Sequence, residues 1–233
     1  MSKALDPLLE RWPWTRELDA GQLSALRRET LVRDIPAEAL VCRKGERVEY
    51  WIGVIDGLVK IGTVSTEGKP VTLTGVSAGG WLGEGSLLKD ETRRYDVVAL
   101  RDSRIAYVPR TLFHRLLDSN IAFNRFLITQ LNERLGLFIA TLEHQRMLGP
   151  DARAARCIAH LFNPVLCPGS GPELKISQSE IGHLSGLSRQ RANQALHTLE
   201  ARGLIRISYG GITVLDLAGL AAFGDESGDG AGA

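Results

Sequence analysis

The chain is poor in the residues that build metal centres and disulfide frameworks. Its 233 residues include three cysteines, Cys42, Cys157 and Cys167, with no C-x-x-C pair and no Cys/His cluster at ligand spacing. A zinc site or an iron–sulfur cluster therefore has no support, and no metal ligands are assigned. The five histidines, His114, His144, His160, His183 and His197, are isolated. None lies between Leu31 and Pro109, which argues against an enzyme on a cupin-like barrel, since that needs a His/Glu metal set on strands. No apolar run approaches the ~20 residues of a membrane span, and MSKALDPLLERWPW lacks a signal-peptide core. The expected compartment is the cytoplasm, with no membrane partner. Charge of one sign is missing too. Lys and Arg number 28 against 27 Asp and Glu, so the whole chain carries no electrostatic mark of nucleic-acid binding.

What is present is concentrated near the end. Ser177 to Leu199 reads SQSEIGHLSGLSRQRANQALHTL, two short helices joined by a tight turn. Ser177 caps the first, and Glu180 is placed to close a capping box. Small Gly182 permits a close helix crossing, Gly186 suits a turn with positive φ, and Ser188 caps the second helix. That is a helix-turn-helix, whose second helix offers its first turns to the major groove. Between Leu174 and Tyr209 five Lys or Arg face two acids, a local excess suited to a phosphate backbone. The spacing predicts DNA-binding roles for Ser177, Ser179, Ser188, Arg189, Gln190, Arg191, Asn193, Gln194 and Arg206.

Texture divides the rest of the chain. Residues 1–28 hold a helical segment with Leu18, Leu23 and Leu26 at helical spacing. Its Trp12-Pro13-Trp14 is expected to pack on the following domain. Residues 29–117 contain strand-like runs at Tyr50–Ile55, Leu58–Val64, Pro70–Val76, Asp96–Leu100 and Arg104–Val108, the pattern of a sandwich or jelly roll. Residues 118–149 form one long helix and a Gly149-Pro150 break, with Asp151 placed to cap the next helix. Ile128, Leu131, Leu135, Phe138 and Leu142 recur in that helix at three- and four-residue spacing. They form a narrow apolar seam for a second copy of the chain. Asn124, Gln130, Glu133, Arg134 and Glu143 occupy its polar side. Residues 150–218 add a helix, a strand, the helix-turn-helix and a hairpin around Tyr209-Gly210, making a winged helix-turn-helix. Residues 219–233 read as a disordered tail. The fold class is α+β: a β-roll, a long dimerisation helix and a C-terminal winged helix-turn-helix.

This order of parts resembles the cyclic-AMP receptor protein (Crp/Fnr) superfamily of bacterial transcription regulators over about residues 30 to 215. The pieces are Lys44–Glu46 (KGE), Gly57 within VIDGLVKI, WLGEGSLL at Trp81–Leu88, TRRYDVVAL at Thr92–Leu100 and the helix SRQRANQAL. The resemblance implies a homodimer on palindromic double-stranded DNA, contact with RNA polymerase, and an effector in the roll that shifts the long helices about Gly149-Pro150. In cyclic-nucleotide-binding members a Gly and the following amides approach the phosphate, a Glu takes the ribose hydroxyl, and an Arg pairs with the phosphate. Gly83, Glu84 and Arg93 stand at those positions, with Gly85, Ser86, Arg94 and Phe138 completing the candidate effector site. A turn with free N–H groups and a guanidinium fork suits an anion.

Three departures disfavour cyclic AMP itself. Gly85 replaces an aliphatic residue, Arg94 replaces a hydroxyl residue, and the adenine-contacting Thr-Ser pair falls on Phe138-Ile139. A lost hydroxyl leaves a buried purine group unpaired, at ~1–3 kcal/mol each. The implied effector is a cyclic nucleotide or related anion; the alternatives are a regulator with an empty pocket, or a nucleotide-binding module without DNA function. The reading head also departs from the family, with Gln190 and Gln194 in place of Glu and Arg. Glutamine prefers adenine N6 and N7, so the operator should differ from the family's TGTGA-type half-site. Arg191, Ser177, Ser179 and Arg206 are the expected phosphate contacts.

Overall fold

The computed structural model describes Leu5, Leu9 and residues 12–68 and 70–224. It divides into two compact units, Met1–Arg134 with Pro164–Gly169, and Leu135–Asn163 with Ser170–Ala233.

Strand formation in the first unit follows its Val/Ile/Thr-rich runs. Two four-stranded antiparallel sheets result. One has the order β1 (Leu31–Ile35), β8 (Ser103–Pro109), β3 (Tyr50–Asp56), β6 (Trp81–Leu82). The other runs β2 (Leu40–Cys42), β7 (Asp96–Ala99), β4 (Leu58–Val64), β5 (Pro70–Ser77). The five expected runs are all strands; β1, β2 and two-residue β6 are additions, too short or too polar to show a period. Helix α1 (Ala20–Glu29) starts at a capping box between Asp19 and Gln22. A short α2 (Glu84–Leu88) follows β6, and α3 (Arg110–Ser119) leads into α4 (Ile121–Met147).

Aromatic packing holds this unit together. Trp51 and Trp81 stack at 3.6 Å between centroids and 11°. Trp12 sits 4.1 Å from Trp81, and Trp14 meets Phe123 at 5.0 Å. All four tryptophans are buried. The Trp12 indole N–H donates to Gly79 O at 2.7 Å, so the Trp-Pro-Trp segment does pack on the roll. Thus an amphipathic ring pair staples the N-terminal segment to the strand core.

In the second unit α5 (Pro150–His160) opens with Gly149 extended at the N-cap and Pro150 in the first turn. Asp151 is therefore not a cap: it lies inside the first turn, where its carboxylate is engaged elsewhere. Strand β9 (Glu173–Leu174) joins the hairpin β10 (Ile205–Ser208) and β11 (Gly211–Val214) in one sheet. Helices α6 (Gln178–Ser185) and α7 (Arg189–Ala201) pack with α5 around Ala154, Ala155, Ile158, Ile181, Ala192 and Leu196, all at most 1% exposed. The predicted start of the tail is corrected. Asp216 caps a further helix, α8 (Leu217–Ala222), through Gly219 N, and Leu220 is fully buried. Residues 225–233 of the expected tail lie outside the described residues.

The polar side of α4 is corrected as well. Gln130 is buried, and its amide donates to Val165 O at 2.7 Å. Arg134 turns inward, as described next. Meanwhile the apolar seam faces outward: Ile128 is 60% exposed, Leu135 58% and Leu142 56%, with Leu131 and Phe138 also open.

Candidate effector pocket and DNA-reading face

The β6–α2 turn puts a carboxylate and a guanidinium in the interior of the first unit. Gly83 has φ 93°, a region that disfavours any side chain. A Cβ there would stand 2.5 Å from Arg93 Nη1, so glycine allows the guanidinium to lie against the turn. Glu84, Ser86 and Arg93 are buried at 3%, 8% and 5% exposure. Arg93 Nη2 donates to Tyr50 O at 2.7 Å. One oxygen of Glu84, Oε1, lies 3.4 Å from Arg134 Nη1. Its other oxygen is buried without a hydrogen-bond partner among the described residues. Arg134 also donates to Trp81 O at 2.8 Å. Burial first, then the Glu84 charge, pushes the Tyr95 phenol up to about 12, so at neutral pH it remains a donor.

Gly83, Glu84, Gly85, Ser86 and Arg93 thus come together as expected. Arg94 does not join them. It is exposed and gives two bonds to Glu91, at 3.2 and 2.9 Å. That pairing holds the Glu91 carboxyl down at about 2. An i,i+3 partner in a loop outcompetes the pocket for a flexible side chain. Phe138 lies one turn beyond Arg134 on α4 and is 37% exposed. The residue that sequence reasoning missed is Arg134, read as part of a solvent-facing stripe. The helical period carried no signal for it, since it says only that Arg134 lies off the apolar seam.

The second unit presents the reading face. Ser177 Oγ accepts from Glu180 N and Ser188 Oγ from Arg191 N, so both serines cap helices as expected. Gly186 ends α6 at φ 65°, and a Cβ at Gly182 would meet Leu187 O at 3.0 Å. The turn chemistry therefore fixes α7 across α6. Arg189, Gln190, Gln194 and Arg206 are exposed. A cavity of about 560 Å³ between the start of α6 and the hairpin is lined by Ser177, Ser179, Arg189 and Tyr209. Three predicted contacts, Asn193, Arg191 and Gln194, are engaged by other side chains of the protein. Asn193 Nδ2 donates to Gln178 Oε1 at 2.8 Å. Arg191 lies 2.8 Å from Asp151 Oδ1 and donates to Gln194 Oε1 at 3.2 Å. Tyr209, at the hairpin tip, is fully exposed and was not among the expected contacts; its place in the turn carried no signal beyond exposure.

A β-roll with this turn, followed by a winged helix-turn-helix, defines a DNA-binding transcription regulator. A cyclic nucleotide-binding domain model matches residues 32–120 and a Crp-like helix-turn-helix domain model matches residues 152–223. The chain is similar to the cAMP-activated global transcriptional regulator CRP of Haemophilus influenzae, 27% identical over 73% of this chain and 77% of that one. Similarity extends to the transcriptional regulator SdrP of Thermus thermophilus, 28% identical over 76% of this chain and 85% of the relative. Among solved structures, FixK2 from Bradyrhizobium japonicum has the same fold, with TM-score 0.68 at 16% identity, covering 82% and 95% of the two chains. The protein belongs to the Crp/Fnr family of DNA-binding transcription regulators.

Proposed function

We propose that the protein is a cytoplasmic homodimer that reads a two-fold symmetric promoter site and answers to a small anionic, nucleotide-like effector in the β-roll. The observation that carries the effector reading is the unpartnered, buried Glu84 Oε2 beside the buried Arg93. A carboxylate lone pair in a dry site costs free energy until a hydroxyl meets it. An anion with a diol would satisfy Glu84 and Arg93 together. The exposed row Ile128, Leu131, Leu135, Phe138 and Leu142 supports the dimer, since isolated monomers rarely expose such a stripe. Two-fold symmetry of the protein calls for a palindrome with half-sites one helical turn apart. RNA polymerase is the further partner, and no catalytic role is assigned.

A second reading is favoured by a specific observation. Arg93 is already bonded to Tyr50 O and Arg134 already stands by Glu84, as suits a regulator that needs no effector. Calorimetry with cyclic AMP, other cyclic mononucleotides and cyclic dinucleotides decides between them. Binding heat that Arg93→Ala abolishes supports an effector; no heat across the panel leaves the effector-independent regulator. For the dimer, Leu135→Asp should give monomers in sedimentation, and an unchanged sedimentation coefficient would remove the seam from the interface.

A further inference from the structure

We propose that Asp151, outside the recognition helix, determines which base Gln194 accepts, by holding Arg191 against the Gln194 carbonyl. The proposal rests on the reading of DNA by α7 set out above. Arg191 Nη2 approaches Asp151 Oδ1 to 2.8 Å. This is a close ion pair off the hydrogen-bond line, since Oδ1 makes no aligned bond. The other terminal nitrogen, Nη1, donates to Gln194 Oε1 at 3.2 Å. Small residues bring the two helices close enough for this: Ala154 and Ala155 on α5, Ala192 and Ala195 on α7, all fully buried.

The chemistry of the pair fixes the amide. A guanidinium has five donors and no acceptor, so only the carbonyl end of Gln194 can face it. The NH2 end is turned away, with hydrogens to give. A free glutamine reads adenine by accepting from N6 and donating to N7. Here the adenine amino group would bring a second donor to an oxygen already held by a cation, and the two positive ends repel. Guanine offers two acceptors, O6 and N7, and asks only for donors. Gln194 therefore favours guanine, contrary to the preference of an unconstrained glutamine. Asp151 is the positioning residue: without its charge Arg191 is released, and the amide turns freely.

Selection from random duplex DNA with the full-length protein, followed by competition titrations, tests this. Wild type should prefer G over A by about tenfold at one half-site position, the discrimination of one good base contact. Gln194→Ala should flatten that position. Asp151→Asn should move it toward A by about tenfold, leaving the other positions as they were. Arg191→Met should make the same move from the other end of the pair, deciding the matter if Asp151→Asn fails to fold by circular dichroism. Asp151→Glu should restore the wild-type preference. If Asp151→Asn and Arg191→Met keep the G-to-A ratio within about twofold of wild type, while Gln194→Ala flattens the position, the relay is refuted and reading by α7 stands. If neither Gln194→Ala nor Arg189→Ala alters any position, the reading head itself is wrong and the proposal falls with it.

Discussion

Replacing one partner of the Glu84–Arg134 pair should destabilise the first unit far more than replacing both. The side chains are 4% and 17% exposed, with 3.4 Å between Oε1 and Nη1. At an effective dielectric of about 20 their attraction is roughly 5 kcal/mol. Desolvating two ions costs several kcal/mol each, so the pair as a whole adds little net stability. Arg134→Met leaves a buried carboxylate without the cation it pairs with, Arg93 being bonded to Tyr50 O, and should cost about 3 to 5 kcal/mol. Glu84→Gln strands a guanidinium that keeps its bond to Trp81 O and some contact with water, so about 2 kcal/mol is expected. The double variant should return to within about 1 kcal/mol of wild type, a coupling of about 4 to 6 kcal/mol. Arg134→Met alone should lower Tm by about 10 °C for a unit of this size. Tryptophan fluorescence is the assay of choice, because Trp12, Trp14, Trp51 and Trp81 are all buried in this unit. Urea titrations of the four proteins give the cycle directly. Additive singles, with coupling under about 0.5 kcal/mol, would refute the claim that these charges meet in a dry site.

The remaining predictions concern the second unit. Burial, and then the neighbouring His144 and Arg156 charges, push the His160 imidazole down to about 4. The unfolded chain therefore takes up a proton near pH 6.5 that the folded one refuses. Stability is full above that pH and falls by up to about 3 kcal/mol as pH drops from about 6.5 to 4. Calorimetric melting of wild type against His160→Gln should show this slope only in wild type; parallel pH profiles would contradict it. Leu220→Ala should cost the second unit about 3 kcal/mol, since the side chain is fully buried. Circular dichroism should register that loss with the tryptophan transition unmoved, and an unchanged melt would return α8 to the tail.

Backbone organisation was legible because it depends on local chemistry. Ser177, Gly186 and Ser188 act within a few residues of themselves, and each does what its type and position imply. The strands of the roll were visible wherever five or more residues rich in Val, Ile, Thr and Tyr ran together between turn residues. Two-residue β6 and three-residue β2 are too short for a period, and are strands only because longer neighbours pair with them. Helix α8 was hidden for a related reason. LAGLAA is made mostly of strong helix formers, but six residues are too few to hold a helix alone, so its helicity depends on the Asp216 cap and the burial of Leu220.

Side-chain partnerships across long sequence distances were the illegible part. Gln130 and Arg134 sit on the polar stripe of an amphipathic helix, where the apolar period says only that they avoid the seam. Whether such residues face water or a second polar surface depends on what the fold brings opposite them. For Gln130 that is Val165 O, and for Arg134 it is Glu84 and Trp81 O. The same logic separates Arg93 from Arg94. Adjacent in sequence and identical in type, one is buried against Tyr50 O and the other is bound in solvent by Glu91. Sequence spacing could place an anion cradle at Gly83–Ser86 because glycine and helix-start geometry are local. It could not count the cradle's charges, because Arg93 and Arg94 lie in the loop before β7, where no strand or helix period says which guanidinium turns inward. The number of cations available to an effector is therefore one loop residue plus whatever α4 contributes. Arg134, not Arg94, is the second.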